Sequence, residues 1–250
     1  MKPTIRPWDE HNRALVANVH PPDWVNPSPA RSYNLVVIGA GTAGLVTAAG
    51  AAGLGAKVAL VEKHLMGGDC LNVGCVPSKT MIRSARAAVE VGRGTEFGVR
   101  VRSDAQLDFP AVMERVRRIR RGISPHDSAE RFKALGVDVF FGEARFADAH
   151  TILVGDRRLR FSRAVIATGA RPIMPPVPGL AEACPLTNET VFNLIEQPRR
   201  LAVIGGGPIG CELAQAFQRL GTRVILIHDK DRFLDREDSD AAAIARNAFQ

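Results

Sequence analysis

The stretch Leu35-Val36-Val37-Ile38-Gly39-Ala40-Gly41-Thr42-Ala43-Gly44 joins an apolar run of the buried parallel-strand kind to three glycines at dinucleotide-loop spacing. An alanine-rich segment of helical character follows to about Leu54. Then comes Lys57-Val58-Ala59-Leu60-Val61-Glu62, a second strand ending in an acid 23 residues after Gly39. The result is a complete βαβ fingerprint: Gly39 makes the turn, Gly41 admits a pyrophosphate, and Gly44 lets helix and strand pack closely. The helix N-terminus faces the phosphates, and Glu62 can accept hydrogen bonds from ribose hydroxyls.

The same spacing returns downstream. Leu201-Ala202-Val203-Ile204 runs into Gly205-Gly206-Gly207-Pro208-Ile209-Gly210, a helix from Cys211 to Leu220, and the strand Val224-Ile225-Leu226-Ile227. His228 stands 23 residues after Gly205, the offset that places Glu62 after Gly39. Two fingerprints in register argue for two dinucleotides, one per domain. A carboxylate at the second offset would hold the ribose of NAD and repel the extra phosphate of NADP. With His228 there, and Lys230 and Arg232 close by, NADP(H) is favoured; an NAD enzyme using Asp229 is the alternative.

Directly after the first fingerprint stands Gly67-Gly68-Asp69-Cys70-Leu71-Asn72-Val73-Gly74-Cys75-Val76-Pro77-Ser78-Lys79. Three readings compete for its cysteines. A structural disulfide is uncommon in a reducing cytoplasm. A zinc site needs two further ligands, and no Cys or His pair with finger-like spacing lies nearby. A redox dithiol needs two thiols able to close a ring and one favoured as thiolate. Pro77 suits the first turn of a helix, which places Cys75 at its positive end. The redox reading is the expectation.

Composition narrows the classes. At 250 residues, with 46% hydrophobic and 24% charged residues, the chain is an ordinary globular protein with ample core. Four cysteines at these spacings do not make a secreted disulfide scaffold. No apolar run approaches a membrane span and the N-terminus has no signal core, so the cytoplasm is the expected location. The net charge of +7 raises the question of nucleic acid. Its densest source, Arg115, Arg117, Arg118, Arg120 and Arg121, reads as a solvated helix face with Val116 and Ile119 turned inward. No aromatic interleaving supports single-strand binding.

The remaining segments divide the chain. Residues 1–32 form a proline-rich arm with Trp8, Trp24 and a short helix over Asp9 to Val19, expected to pack on the main domain or a partner subunit. Residues 33–172 form the first domain. Within it, helices run from Ser78 towards Gly92, after Asp108-Phe109-Pro110, and over Ala129 to Leu135. Val137–Phe141, Ala144–Phe146, Thr151–Val154 and Arg158–Phe161 read as a small β-meander. Ala164-Val165-Ile166-Ala167 is a further buried strand delivering Thr168-Gly169. Residues 173–180 read as a stiff linker, and 181–250 as a second, incomplete domain.

From about Tyr33 to the last residue, these motifs resemble the flavin-dependent pyridine nucleotide–disulfide oxidoreductases, the family of glutathione reductase, dihydrolipoamide dehydrogenase and mercuric reductase. The resemblance implies an α/β fold: an FAD-binding Rossmann-like, three-layer domain with an inserted β-meander, then an incomplete Rossmann-like NAD(P)-binding domain. It implies that electrons pass from NAD(P)H through FAD to a Cys70–Cys75 disulfide, and on to a small-molecule or metal-ion acceptor. Cys70 would be the interchange thiol and Cys75 the thiol lying over the flavin. Lys79 would sit near the isoalloxazine, paired with Glu212. Gly39, Gly41, Gly44, Glu62, Gly68, Thr168 and Gly169 would line the FAD, with the backbone of Ala144 at its adenine. Gly205, Gly207, Gly210 and His228 would take the nicotinamide nucleotide.

The runs Ile166–Pro172, Pro175–Gly179, Glu212–Phe217 and Arg236-Glu237-Asp238 resemble the mercuric reductase branch, which raises Hg(II) as acceptor, whereas Asp69 replaces a threonine common there. A dihydrolipoamide dehydrogenase-like enzyme is the alternative within the class, and a flavin-binding redox sensor without turnover the alternative outside it. Gln250 falls inside an apparent helix. The chain therefore reads as the front part of a longer protein, inactive alone, whose dimerisation domain and His–Glu pair lie beyond it and whose complete form is a homodimer.

Overall fold

The computed structural model describes residues 5–100 and 106–249, so Pro3 and Gln250 lie outside it. In chain order the elements are α1 (Glu10–Val19), β1 (Tyr33–Ile38), α2 (Thr42–Gly53), β2 (Val58–Glu62), α3 (Gly68–Asn72), α4 (Cys75–Gly92) and α5 (Phe109–Ile123). There follow α6 (Ala129–Ala134), β3 (Asp138–Phe141), β4 (Ala144–Asp148), β5 (Thr151–Val154), β6 (Arg157–Ile166), α7 (Asn188–Val191), β7 (Arg200–Ile204), α8 (Pro208–Arg219), β8 (Arg223–Ile227) and α9 (Ser239–Phe249). Two compact units result, one of residues up to 77 with 117–193, the other of 78–116 with 194 onward.

In the first unit six strands form one sheet in the order β3-β2-β1-β6-β5-β4. β1 pairs in parallel with β2 and β6, and β2 with β3, while β4, β5 and β6 pair antiparallel. Successive residues of a strand point to opposite faces, and here both faces are covered. Val37, Val58 and Leu60 pack with Leu15, Leu45, Ala48 and Phe132 from the helices. Val36, Ala59 and Val61 pack with Ile152, Val154, Leu159 and Phe161 of the meander. Burial on both sides explains why these strands read as unbroken apolar runs. Each such side chain contributes about 1.5–3 kcal/mol relative to exposure.

The strand reading needs two corrections. β3 is no part of the meander; it is the parallel edge strand beside β2. The two expected strands Arg158–Phe161 and Ala164–Ala167 are one ten-residue strand, β6. It pairs antiparallel with β5 over Arg157–Arg160 and parallel with β1 from Phe161 onward. The sequence pattern changes within it because the pairing partner changes, from a half-buried hairpin to a buried parallel neighbour.

The arm packs on this unit. Asp9 caps α1 by accepting from Asn12 N, and α1 buries Leu15, Val16 and Val19. Beyond α1 the arm runs along the exposed side of β3: Trp24 Nε1 donates to Val139 O, and the Asn26 side chain both accepts from Phe141 N (2.7 Å) and donates to Phe141 O (2.8 Å). One amide thus supplies what a neighbouring strand would, closing an edge that otherwise invites pairing with another chain. Trp8 is 54% exposed, so the first unit does not cover it. Asn26→Ala should cost about 1–3 kcal/mol, because Phe141 loses both edge partners at once; urea unfolding would read it, and an unchanged midpoint would contradict the capping role.

The arginine run also needs correcting. Arg117 and Arg120 are buried, at 8% and 2% exposure, while Arg118 and Arg121 face solvent. Arg117 Nε is bonded to the Asp9 carboxylate. The face is a mixed one, with two guanidinium groups on its core side.

In the second unit β7 and β8 pair in parallel over Arg200–Ile204 and Arg223–Ile227, with α8 between them in sequence. Phe217 of α8 is fully buried, its ring 6.1 Å from that of Phe109.

Candidate active site

The first glycine loop is built by close approach. Gly39 lies at φ +101°, and a Cβ there would stand 2.3 Å from Ala167 O and 3.2 Å from Thr168 Cα. This brings the strand end carrying Thr168 and Gly169 against the loop. A Cβ on Gly44 would fall 1.8 Å from Gly39 O. Gly41 caps α2 without any side-chain acceptor, so the first-turn amides stay available to an anion. Glu62, only 9% exposed, accepts from Ala40 N (2.7 Å) with one carboxylate oxygen and from His64 N (2.7 Å) with the other. The residue expected at a ribose therefore also staples its own loop. Gly142 N donates to Glu62 O, so the segment leading into Ala144 is tied to the same strand end.

The cysteine segment sits on this loop. Gly67 N donates to Ala40 O (2.8 Å). A Cβ on Gly68, itself at φ +53°, would stand 2.6 Å from Gly41 Cα, so the N-termini of α2 and α3 meet backbone to backbone. Cys70 lies in α3 and Cys75 opens α4, with Pro77 in that helix's first turn. Both are thiols, Cys70 half-buried and Cys75 exposed, within hydrogen-bonding reach of each other. Burial pushes the Cys70 thiol above its ordinary pKa; the Cys75 sulfur and the Asp127 carboxylate add to this, and the Thr42 hydroxyl opposes it. Burial likewise raises the carboxyl of Asp127, against Arg131 and His126. Asp69 is exposed, and its charge is felt by Arg171, which clasps Glu189 through two hydrogen bonds of 2.9 and 3.0 Å. Among the described residues no group of three or more His, Cys, Asp or Glu side chains could hold a metal ion.

The second loop repeats the first nearly bond for bond. Gly205 N donates to Ile227 O as Gly39 N does to Val61 O, both at 2.8 Å. A Cβ on Gly210 would stand 1.9 Å from Gly205 O. Gly207 caps α8 with no side-chain acceptor. Where Ala40 N meets Glu62, Gly206 N meets His228 Nδ1 at 3.1 Å. That nitrogen acts as acceptor, and Nε2 faces Asp235 at 3.7 Å. Two rings explain the extra glycine: a Cβ on Gly206 would be 2.7 Å from Phe233 Cδ1 and 2.9 Å from His228 Cγ, whereas Ala40 is tolerated beside a carboxylate. In the same unit Lys79 Nζ and Glu212 Oε2 form an ion pair of 2.5 Å, half-exposed on both sides.

Sequence reasoning does not bring Thr42 or Asp127 to Cys70, nor does it mark Arg120 as buried. Thr42 had a signal in its place within the glycine loop. Asp127 lies in a short turn far along the chain, and nothing local points from it to Cys70. For Arg120 the signal is periodicity: Phe109, Met113, Val116, Arg117 and Arg120 form one buried stripe at helical spacing.

Residues 33–250 match the family described as pyridine nucleotide-disulphide oxidoreductase, and the chain belongs to that family. It is 34% identical to dihydrolipoyl dehydrogenase of Acholeplasma laidlawii, over 84% of this chain and 64% of the relative. It is 38% identical to mercuric reductase of Serratia marcescens, over 88% of this chain and 49% of that protein. Among solved structures it resembles the HOCl-induced flavoprotein disulfide reductase RclA from Escherichia coli, with a TM-score of 0.69 and 28% identity over 86% of this chain and 46% of that one. The same reductase as a Cu(II) complex gives a TM-score of 0.67 at 29% identity, over 85% and 46%. The chain thus spans about two thirds or less of these relatives' lengths. Among the described residues no helix is long and apolar enough to cross a membrane.

Proposed function

We propose that this chain carries the dinucleotide and dithiol machinery of an FAD- and NAD(P)H-dependent disulfide oxidoreductase, which reduces a Cys70–Cys75 disulfide and passes the electrons to a thiol-reactive acceptor. The observation that carries this reading is the seating of the dithiol segment on the first glycine loop, through Gly67 N to Ala40 O and the Gly41–Gly68 contact. FAD suits that loop, whose uncapped α2 amides and missing Cβ atoms leave room and donors for a pyrophosphate. When bound, the flavin supplies the step between hydride transfer and dithiol chemistry. Cys75 opens α4 as an exposed thiol, within reach of Cys70. Cys70, with its raised pKa, holds a proton that must leave before it attacks or ligates an acceptor. Lys79 is held by Glu212 in an ion pair of 2.5 Å within the second unit.

The acceptor class is thiophilic: Hg(II), as the names of the mercuric reductases suggest, or a small disulfide. The complete protein acts in the cytoplasm as a homodimer. The test is NAD(P)H consumption by the complete, FAD-loaded protein with Hg(II), a dithiol-disulfide and glutathione disulfide in turn. Turnover with none of the three would sink the enzyme reading.

NADP(H) is the favoured nucleotide. No carboxylate stands at the ribose position of the second loop, and the His228 ring that replaces it is engaged with Gly206 N. His228→Glu should raise the NADH-to-NADPH ratio of kcat/KM by on the order of tenfold, since one charge-assisted bond to ribose is gained and a phosphate is repelled. An unchanged ratio would transfer the role to Asp229.

A further inference from the structure

Arg120 is the anomaly of the first unit. It is 2% exposed, and the hydrogen bonds of its guanidinium go to no carboxylate. Nη1 donates to Asn72 O at 2.7 Å and Nη2 to Asn12 Oδ1 at 2.6 Å, while Nε has no hydrogen-bond partner. Burial and neighbouring Arg117 lower its pKa to about 10, so it remains a cation at neutral pH. An apolar side chain of similar volume would fill such a place at less cost. A buried cation kept there points to a task beyond packing.

The task follows from what it holds. Asn72 ends α3 between the two cysteines, and its carbonyl is among those that a helix end leaves without an intrahelical partner. Only Val73 and Gly74 separate it from Cys75, the first residue of α4. One side of this joint is fixed sterically, since a Cβ on Gly74 would stand 2.8 Å from Asp69 O. The Asn72 side chain closes the turn before it, donating to Met66 O (3.1 Å) and Gly68 O (2.9 Å). The guanidinium is aimed from the far side by Asn12, which is itself held by Asp9 Oδ1 and Pro7 O. The arm helix α1 is thereby wired to the dithiol.

We propose that Arg120 is a positioning residue for the dithiol: by holding Asn72 O it fixes the joint between α3 and α4 and sets the geometry in which Cys70 and Cys75 close into a disulfide. This rests on the redox reading of the cysteines given above, but its test needs no flavin, nucleotide or acceptor. The chain is equilibrated anaerobically in glutathione buffers of graded oxidation, quenched, and the Cys70–Cys75 disulfide is quantified by mass spectrometry. Loosening the joint lowers the effective concentration of one thiol at the other, so Arg120→Met should need a buffer about tenfold more oxidising for half-formation. Asn12→Leu leaves the Asn72 bond in place but removes the aim, and should shift the midpoint in the same direction by roughly threefold. Thermal melts identify folded variants, and if Arg120→Met does not fold, Asn12→Leu decides. A folded variant with the wild-type midpoint overturns the proposal alone. A wild-type chain that forms no Cys70–Cys75 disulfide in any buffer overturns the redox reading beneath it.

Discussion

Gly44→Ala is expected to abolish flavin retention and to destabilise the protein by about 3 kcal/mol or more, at or above the upper end of the usual cost of core overpacking. The added methyl would stand 1.8 Å from Gly39 O and 2.9 Å from Gly39 C. Both are backbone atoms, so no side chain can swing aside to relieve the clash. Either α2 lifts off β1 or the loop opens, and in both cases Gly39 loses its place against Ala167 and Thr168. Gly50→Ala in the same helix is the control. Nothing lies within 4 Å of its Cβ, and the substitution removes a flexible residue from a helix interior. It should stabilise by about 0.5–1 kcal/mol. Gly210→Ala tests the second loop, where the methyl would stand 1.9 Å from Gly205 O; it should weaken nucleotide binding and spare the flavin. Urea unfolding with absorbance of the retained cofactor separates the three. A Gly44→Ala protein that folds and holds flavin as the wild type does would refute the close-approach argument.

The glycine requirement is legible in the sequence because it is local: one strand, one turn and one helix determine it. The same holds for α1 with its Asp9 cap and for α6 with Ser128 at its N-terminus. What could not be read depends on partners distant in the chain. β6 changes neighbour halfway along, so one strand reads as two. Asn26 acts as a surrogate strand for Phe141, 115 residues away. Arg117 and Arg120 belong to a charge-dense run, and composition rules average over a helix face; only the wheel position beside Met113 and Val116 separates them from Arg118 and Arg121. The pairing of His228 with a third glycine at Gly206 was written in the sequence, but it becomes intelligible only when the ring is seen to take the acceptor place of Glu62.

Cys70→Ser and Cys75→Ser should each lower NAD(P)H-dependent disulfide or metal reduction by the complete protein by on the order of 10⁴-fold, because the two sulfurs act as one unit. Both should retain reduction of a one-electron dye such as ferricyanide, which needs the two dinucleotide sites and neither thiol. Retained dye activity distinguishes lost chemistry from lost fold. The variants should differ from each other in one respect. In Cys70→Ser the remaining thiol is Cys75, exposed at the start of α4 and, by the roles proposed above, the one lying over the flavin, so a long-wavelength absorbance band of the FAD-loaded protein should persist. In Cys75→Ser the remaining thiol is Cys70, whose pKa burial and Asp127 hold above the ordinary value. The band should be absent there, and alkylation of Cys70 should be slow at neutral pH and accelerate as pH rises towards that elevated pKa. Equal alkylation profiles for the two single-thiol proteins would show that the asymmetry of burial and helix position does not reach the sulfurs. A strong band in Cys75→Ser would reverse the roles assigned to the pair.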